Sequence, residues 1–508
     1  MPISLNLRRL LLAGFVALAA AAPALEPAFA QQRGEGSRNE AASGPGVLSL
    51  LPADSVTEHR MERGADSFAY HATAGAFDLF DQTGAPSAKI VYFAYTRDGS
   101  EAGSRPVTFV FNGGPGAASA YLHLGVVGPK AAEFSGPNAS GLLVDNPDTW
   151  LRFTDLVMID PVGTGWSRAA NPDKASDFWG VDADAQTIAK VIALYLAKNG
   201  RMASPKYLLG ESYGGFRSVE VASVLQRDQG VLVDGLVMLS PFLEGALNFG
   251  ATRFPFGAAL QLPSLAAAEL DRSGRFSDEA LASAERFAFG DYLTTLAGPP
   301  PQGEAAETFY RRIAAFTGLP VETVARTRGF IGDAYGKRGG AASAIFSPYD
   351  AAVAEPDPFP ESAADRGPDP ILDGYTRGLG GLFVAYARDT LGFRTDMSFT
   401  LLSRDAFRSW NWGDSRSLGG ASAIDDLRAL LALNPALRVL VAHGRSDVVT
   451  PYAVSRYLLD RLPPIGAPDR TALHVYRGGH MFYFDPAARA AFAADAAGFY
   501  AAARPPGR

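Results

Sequence analysis

Gly210-Glu211-Ser212-Tyr213-Gly214-Gly215 follows the apolar triplet Tyr207-Leu208-Leu209 and leads into a segment carrying Val219, Val221 and Val224. Gly-x-Ser-x-Gly between a strand and a helix is a nucleophile elbow: the glycines permit a sharp, strained turn that lifts the serine hydroxyl clear of the backbone. The helix that follows turns its N-terminal amides towards any negative charge that develops there. The pattern is short, and the strand before it and the helix after it are what separate it from an ordinary glycine turn.

Working outward, four more runs are apolar on both faces, as central parallel strands are: Val107–Phe111, Leu156–Ile159, Leu236–Leu239 and Val439–Ala442. Asp182 to Lys198 carries Ile188, Ile192 and Tyr195 at helical spacing. This strand–helix–strand alternation predicts an α/β chain with right-handed crossovers and a central, mostly parallel sheet. Phe77–Phe80 and Lys89–Ala94, separated by Gly84-Ala85-Pro86, read as a hairpin ahead of it. From 246 to 430 the rhythm breaks. Ser277-Asp278-Glu279 supplies a serine cap and a first turn of acids, with Leu281, Ala284 and Ala288 following at helical spacing. Ala305–Phe316 and Gly381–Leu391 are further helix candidates, and Pro356–Pro370 reads as loop. The expected organisation is a core in two parts, 47–245 and 431–508, split by a mainly helical insertion (cap) over 246–430.

Composition narrows the chemistry. The chain has 508 residues, of which 47% are hydrophobic and 19% charged, which excludes a disordered or fibrous protein. Lys+Arg number 46 against 53 Asp+Glu, a net charge of −7, with no long basic block, so no nucleic-acid partner is expected. With no cysteine there is no disulfide, thiolate nucleophile or cysteine zinc site. No cluster has metal-ligand spacing, and neither metal nor cofactor is expected. Arg8-Arg9, the apolar run Leu10–Ala22 and Ala28-Phe29-Ala30 form a signal-peptide pattern over residues 1–30. Residues 31–46, rich in Gln, Arg, Gly and Ser, read as a flexible tail. The expectation is an exported protein, periplasmic or secreted, with no membrane partner once the signal is removed.

A serine becomes a nucleophile when a base takes its proton, and behind this kind of elbow the partners follow in the order acid, then histidine. Only His443, His474 and His480 lie downstream of Ser212. Asp447 closes the loop His443-Gly444-Arg445-Ser446-Asp447, just after the strand 439–442. His480 sits in Gly478-Gly479-His480-Met481, after the short strand Leu473–Tyr476. His474 alternates within that strand and reads as packed, and His443 precedes the acid too closely to be its partner. The base is therefore His480, oriented by Asp447. A second oxyanion donor should come from a glycine-rich loop, and Asn112-Gly113-Gly114-Pro115-Gly116 ends the first central strand. Elsewhere, His123 reads as a core histidine and Asp182-Ala183-Asp184 as a solvated helix start. Trp410-Asn411-Trp412 suits either a pocket wall or aromatic packing.

Four segments together resemble the serine carboxypeptidases, a family of α/β-hydrolase fold: Asn112–Gly116, Asp160-Pro161-Val162-Gly163-Thr164-Gly165-Trp166-Ser167, Gly210–Gly215 and Gly479-His480-Met481, in the family's order. Asp447 stands where that family has its triad aspartate. The resemblance covers roughly 105–245 and 430–490. It implies Ser212 as nucleophile, His480 as base and Asp447 as its orienter, with the amides of Gly114 and Tyr213 forming the oxyanion hole. It also implies that Asn112, Gly113 and a protonated Glu211 bind the terminal carboxylate of a peptide substrate. Two carboxyls brought together share a proton, so such binding weakens as pH rises. There are two departures. Ala117 replaces a common cysteine, and Val126 replaces a second acid that assists carboxylate binding in many relatives. The activity implied is removal of C-terminal residues from peptides. Ester cleavage or acyl transfer on the same machinery is the alternative, and a binding protein without turnover is a third reading.

Overall fold

The computed structural model describes residues 46–62, 67–101, 103–137, 139–336, 344–362 and 369–502. The signal peptide over 1–30, all but the last residue of the tail 31–46, and part of the loop 356–370 lie outside them.

Three strands open the chain as an antiparallel meander: β1 (Ser55–Met61), β2 (Phe68–Phe80) and β3 (Pro86–Arg97). The turn between β2 and β3 closes where Asp81 N–H donates to Ala85 O at 2.9 Å, at the expected Gly84-Ala85-Pro86 hairpin. β4 (Val107–Phe111) starts the parallel part, followed by a small side hairpin, β5 (Lys130–Glu133) with β6 (Leu142–Asp145). Then come β7 (Asp155–Ile159), the two-residue β8 (Arg168–Ala169), β9 (Lys206–Glu211) and β10 (Gly235–Leu239). A second side hairpin pairs β11 (Ala344–Phe346) with β12 (Ala354–Pro356), and β13 (Arg438–Gly444) and β14 (Thr471–Tyr476) return to the sheet. The sheet runs β1-β2-β3-β7-β4-β9-β10-β13-β14, with β8 beside β3. From β7 to β14 every neighbouring pair is parallel.

β4, β7 and β10 are buried along their whole length because helices cover both faces, and this explains their unbroken apolar sequences. On one face, helices Val181–Lys198 and Tyr213–Asp228 press Ile188, Ile192, Val221 and Leu225 into a core with β4, β7 and β9. On the other, the C-terminal helix Pro486–Ala502 inserts Phe492 and Tyr500 beside Trp150 and Tyr207.

The segment 246–430 is divided between three cores. Helices Pro255–Arg272, Asp278–Phe287 and Gly303–Thr317 bury Leu262, Phe287 and Ile313 in a small core of their own. Ser277 caps the second of these, accepting from Ala280 N–H, as expected. The candidate helix at Gly381–Leu391 instead runs Leu372–Asp389 and packs Phe383 edge-on to Phe93 of β3, inside the main core. Helix Ile424–Leu433 joins the opposite face through Leu427.

Two single-residue expectations are corrected here. Asp184 is buried, not solvated: it accepts from Arg217 Nε at 2.5 Å, linking the two neighbouring helices. His474 is not packed. It lies on the edge strand β14, which only partly covers its side chains, and pairs at 3.0 Å with Asp495.

Candidate active site

In an open parallel sheet, ligand sites form where the loops leave the carboxyl ends of the strands. β4 ends at Phe111, β9 at Glu211, β13 at Gly444 and β14 at Tyr476. Within four residues of these ends come the Asn112–Gly116 loop, Ser212, Asp447 and His480. The topology thus delivers these four segments to the carboxyl end of the sheet.

Ser212 has φ 59° and ψ −123°, a backbone state that L-residues rarely adopt, at the turn from β9 into helix Tyr213–Asp228. The strain is held from three sides: Ser212 N–H donates to Leu239 O at 2.9 Å, and Ser212 O accepts from Gly215 N–H at 2.9 Å and Phe242 N–H at 3.0 Å. A Cβ on Gly210 would lie 1.9 Å from Gly214 O, so a side chain there would prevent the elbow from closing. The loop after β4 lies directly against it. A Cβ on Gly113 would fall 2.5 Å from both Tyr213 N and Glu211 O. Among the described residues, neither Gly114 N–H nor Tyr213 N–H donates to a protein acceptor, which leaves two amides beside Ser212 for an oxyanion.

His480 Nδ1 lies 2.8 Å from Asp447 Oδ2, with both groups buried. Asp447 is itself fixed: its Oδ1 accepts from Val449 N–H at 2.9 Å and Thr450 N–H at 3.0 Å, and Thr450 Oγ1 is 2.7 Å from Oδ2. The backbone of His480 is clamped as well, its N–H donating to Tyr349 O at 2.5 Å and its carbonyl accepting from Ser240 Oγ at 2.9 Å. Burial works to lower the pKa of His480, but the charge and hydrogen bond of Asp447, aided by Glu211, outweigh it and raise it above the ordinary histidine value. Ser212 and His480 line one cavity of about 400 Å³, without a hydrogen bond between hydroxyl and imidazole among the described contacts. Such contacts are often long in free enzymes and tighten around substrate.

Glu211 and Asn112 line the same cavity at its buried end. Asn112 Nδ2 donates to Glu211 Oε2, and Tyr483 O–H donates to Oε1 at 2.8 Å. Burial raises the Glu211 carboxyl to about 7, against the opposing influence of His480 and these hydrogen bonds. The rest of the wall is largely apolar, with Ala117, Tyr121, Leu402 and Met481.

Each residue singled out beforehand for this site is on or beside the cavity, although Tyr213 contributes only its backbone. Its ring is buried against Trp410, at 5.3 Å and 78°, and Trp412, at 5.6 Å and 89°, so these tryptophans support the elbow from behind. Val126 is buried in the core and does not line the cavity. His443 is buried and bonded to Ser455 at 2.8 Å, and His123 to Tyr95 at 2.7 Å; burial lowers these histidines to about 4 and about 3 respectively. Thr450, Tyr483 and Ser240 escaped the sequence reading. The first two lie three residues beyond Asp447 and His480 respectively, the only local signal they give.

Comparison with known proteins fits this geometry. The serine carboxypeptidase family model matches residues 80–229. The serine carboxypeptidase-like 44 protein of Arabidopsis thaliana is 27% identical over 169 residues, covering 32% of this chain and 32% of that protein. The match therefore spans about a third of that relative's length. Kex1(delta)p, a prohormone-processing carboxypeptidase from Saccharomyces cerevisiae, has a similar fold at a TM-score of 0.54 and 14% identity, covering 90% of this chain and 96% of that one. Residues 80–229 thus match the serine carboxypeptidase family model, in a chain of α/β-hydrolase fold.

Proposed function

We propose that this protein is a serine-type carboxypeptidase that releases C-terminal residues from peptides through an acyl-enzyme. The observation that carries the reading is one cavity shared by Ser212, the Asp447-held imidazole of His480, and the Glu211–Asn112 pair. The Ser212 hydroxyl attacks the scissile carbonyl while His480 takes its proton, and the amides of Gly114 and Tyr213 hold the oxyanion. His480 then returns the proton to the leaving amine, and water repeats the sequence on the ester. Glu211, protonated below about pH 7, can donate to the substrate's terminal carboxylate instead of repelling it, alongside Asn112.

Ester cleavage or acyl transfer is the second reading. It is favoured by Glu211 being the single acid among the described residues of the cavity wall, with Val126 buried elsewhere. A blocked dipeptide and its C-terminal amide separate the two. Carboxypeptidase action predicts a kcat/KM at least about tenfold higher for the free acid, since hydrogen bonds to a charged group contribute roughly 1.5–3 kcal/mol. Equal rates would leave only the second reading. Export with loss of residues 1–30 is also proposed, and the N-terminal sequence of the mature protein tests it. Among the described residues no helix is long and apolar enough to cross a membrane.

A further inference from the structure

Helix Arg404–Arg408 borders the cavity from the segment between the two halves of the sheet. Ser403 caps it, its hydroxyl accepting from Ala406 N–H at 3.2 Å, and Ala406 turns inward and is buried. Arg404, Phe407 and Arg408 are exposed and also line the cavity, so they mark its open side, while Asn112, Glu211 and His480 are buried. Arg404 and Arg408 are four residues apart and therefore share a helix face. Among the described residues neither guanidinium has an ion pair or a hydrogen-bond acceptor, and Asp405 between them pairs with neither. Three arginines elsewhere in the chain are paired with acids at buried or partly buried positions: Arg217 with Asp184, Arg201 with Asp155 and Arg445 with Asp271.

We propose that Arg404 and Arg408 bind a carboxylate on a side chain of the substrate, so that the cavity selects peptides acidic next to the bond that Ser212 attacks. A guanidinium presents a planar fork of donors that matches a carboxylate, and its charge is permanent. Two such forks left unpaired on the open side of a largely apolar cavity, in a chain of net charge −7, hold positive potential where substrate enters. The buried end offers Glu211 and Asn112, whose hydrogen bonds suit one carboxylate, the terminal one; the arginines serve a second. This inference rests on Ser212 being the nucleophile of the proposed function, and it assigns the substrate class of that same site.

The experiment measures how well blocked dipeptides protect Ser212 from a neutral fluorophosphonate, with labelling located by mass spectrometry. The dipeptides carry glutamate or glutamine at either position, each as free acid and as C-terminal amide. Protection reports occupancy whether or not the peptide is cleaved. In the wild type, a glutamate peptide is expected to halve labelling at a concentration about fivefold below its glutamine counterpart, the upper range for an exposed ion pair. The preference should shrink as salt is raised. In the double variant Arg404→Gln/Arg408→Gln the glutamate-to-glutamine ratio should fall to within about twofold, and in Arg404→Glu/Arg408→Glu lysine peptides should protect better than glutamate ones. Equal protection by glutamate and glutamine in the wild type would overturn the proposal. So would a preference that survives in the double glutamine variant, or one that follows the terminal carboxylate and not the side chain. Absence of any wild-type labelling is a different failure: it removes the nucleophile on which the inference stands.

Discussion

Glu211 carries most of the pH behaviour expected of this site, because its carboxyl is pushed up to about 7 by burial while its neighbour His480 is also raised. As pH climbs through about 7, Glu211 ionises and a substrate carboxylate is increasingly repelled. KM for free-acid peptides should therefore rise above that point, while KM for amidated peptides stays flat. Glu211→Gln cannot ionise. Its KM for free acids should stay level to about pH 8, and an unchanged rise in that variant would mean another group is responsible. On the acid side, kcat/KM should fall as His480 takes up a proton, and removing the Glu211 charge should move that limb to lower pH, since the charge helps raise the imidazole. The residues behind these effects differ in how legible they were. Ser212, Asp447 and His480 each sit in a local pattern of strand end and glycine turn. Thr450 and Tyr483 act through contacts to Asp447 and Glu211, and the second of these spans 272 positions, which no local pattern reports.

At the scale of elements, the ion pair between Asp184 and Arg217 joins two neighbouring helices, and Arg217 Nη1 also donates to the carbonyl of Asn112. One buried guanidinium therefore holds helix Val181–Lys198, helix Tyr213–Asp228 and the loop that supplies Gly114. Arg217→Met would leave Asp184 buried and unpaired, and should cost roughly 3–5 kcal/mol in denaturant unfolding. A loss under about 1 kcal/mol would mean that water reaches Asp184 and that the pair is not structural. Periodicity brought out the central parallel strands and helix Val181–Lys198 near their true bounds, but the sequence reading named none of helices Pro255–Arg272, Tyr452–Asp460 and Pro486–Ala502. Helix Leu372–Asp389 was seen only in its second half because Gly374, Gly378, Gly380 and Gly381 argue against a helix. The structure supplies the reason for two of them: a Cβ on Gly374 would lie 2.7 Å from Pro137 O, and one on Gly378 would lie 2.6 Å from the Phe134 ring. Close packing overrides propensity there. Asp184 misled for a similar reason, since its position in a first helical turn carries no sign of the arginine 33 residues later.

For the whole molecule, several acids are buried in forms that prefer to be neutral. Burial raises Glu211 to about 7, and Asp160 and Asp350 to about 6, above the ordinary carboxyl range. The folded chain holds these protons where the unfolded chain has released them, so their contribution to stability is complete below the ordinary carboxyl range. It is lost as pH rises through about 6 to 7. His123 and His443, lowered by burial to about 3 and about 4, act in the opposite sense below the ordinary histidine value, so the acids show above it: the melting temperature should fall between pH 6.5 and pH 8, and a rise over that interval would contradict the neutral burial of these groups. The same sheet that buries them aligns the loops after β4, β9, β13 and β14, and the proposed chemistry depends on that alignment. The most direct test is to treat the wild type with a fluorophosphonate and map the adduct by mass spectrometry, alongside His480→Ala and Asp447→Asn. A single adduct on Ser212 is predicted, forming at least about a hundredfold more slowly in the histidine variant and also slowed in the aspartate variant. An unlabelled wild type, an adduct on another residue, or labelling of Ser212 at the same rate without the imidazole would contradict the account.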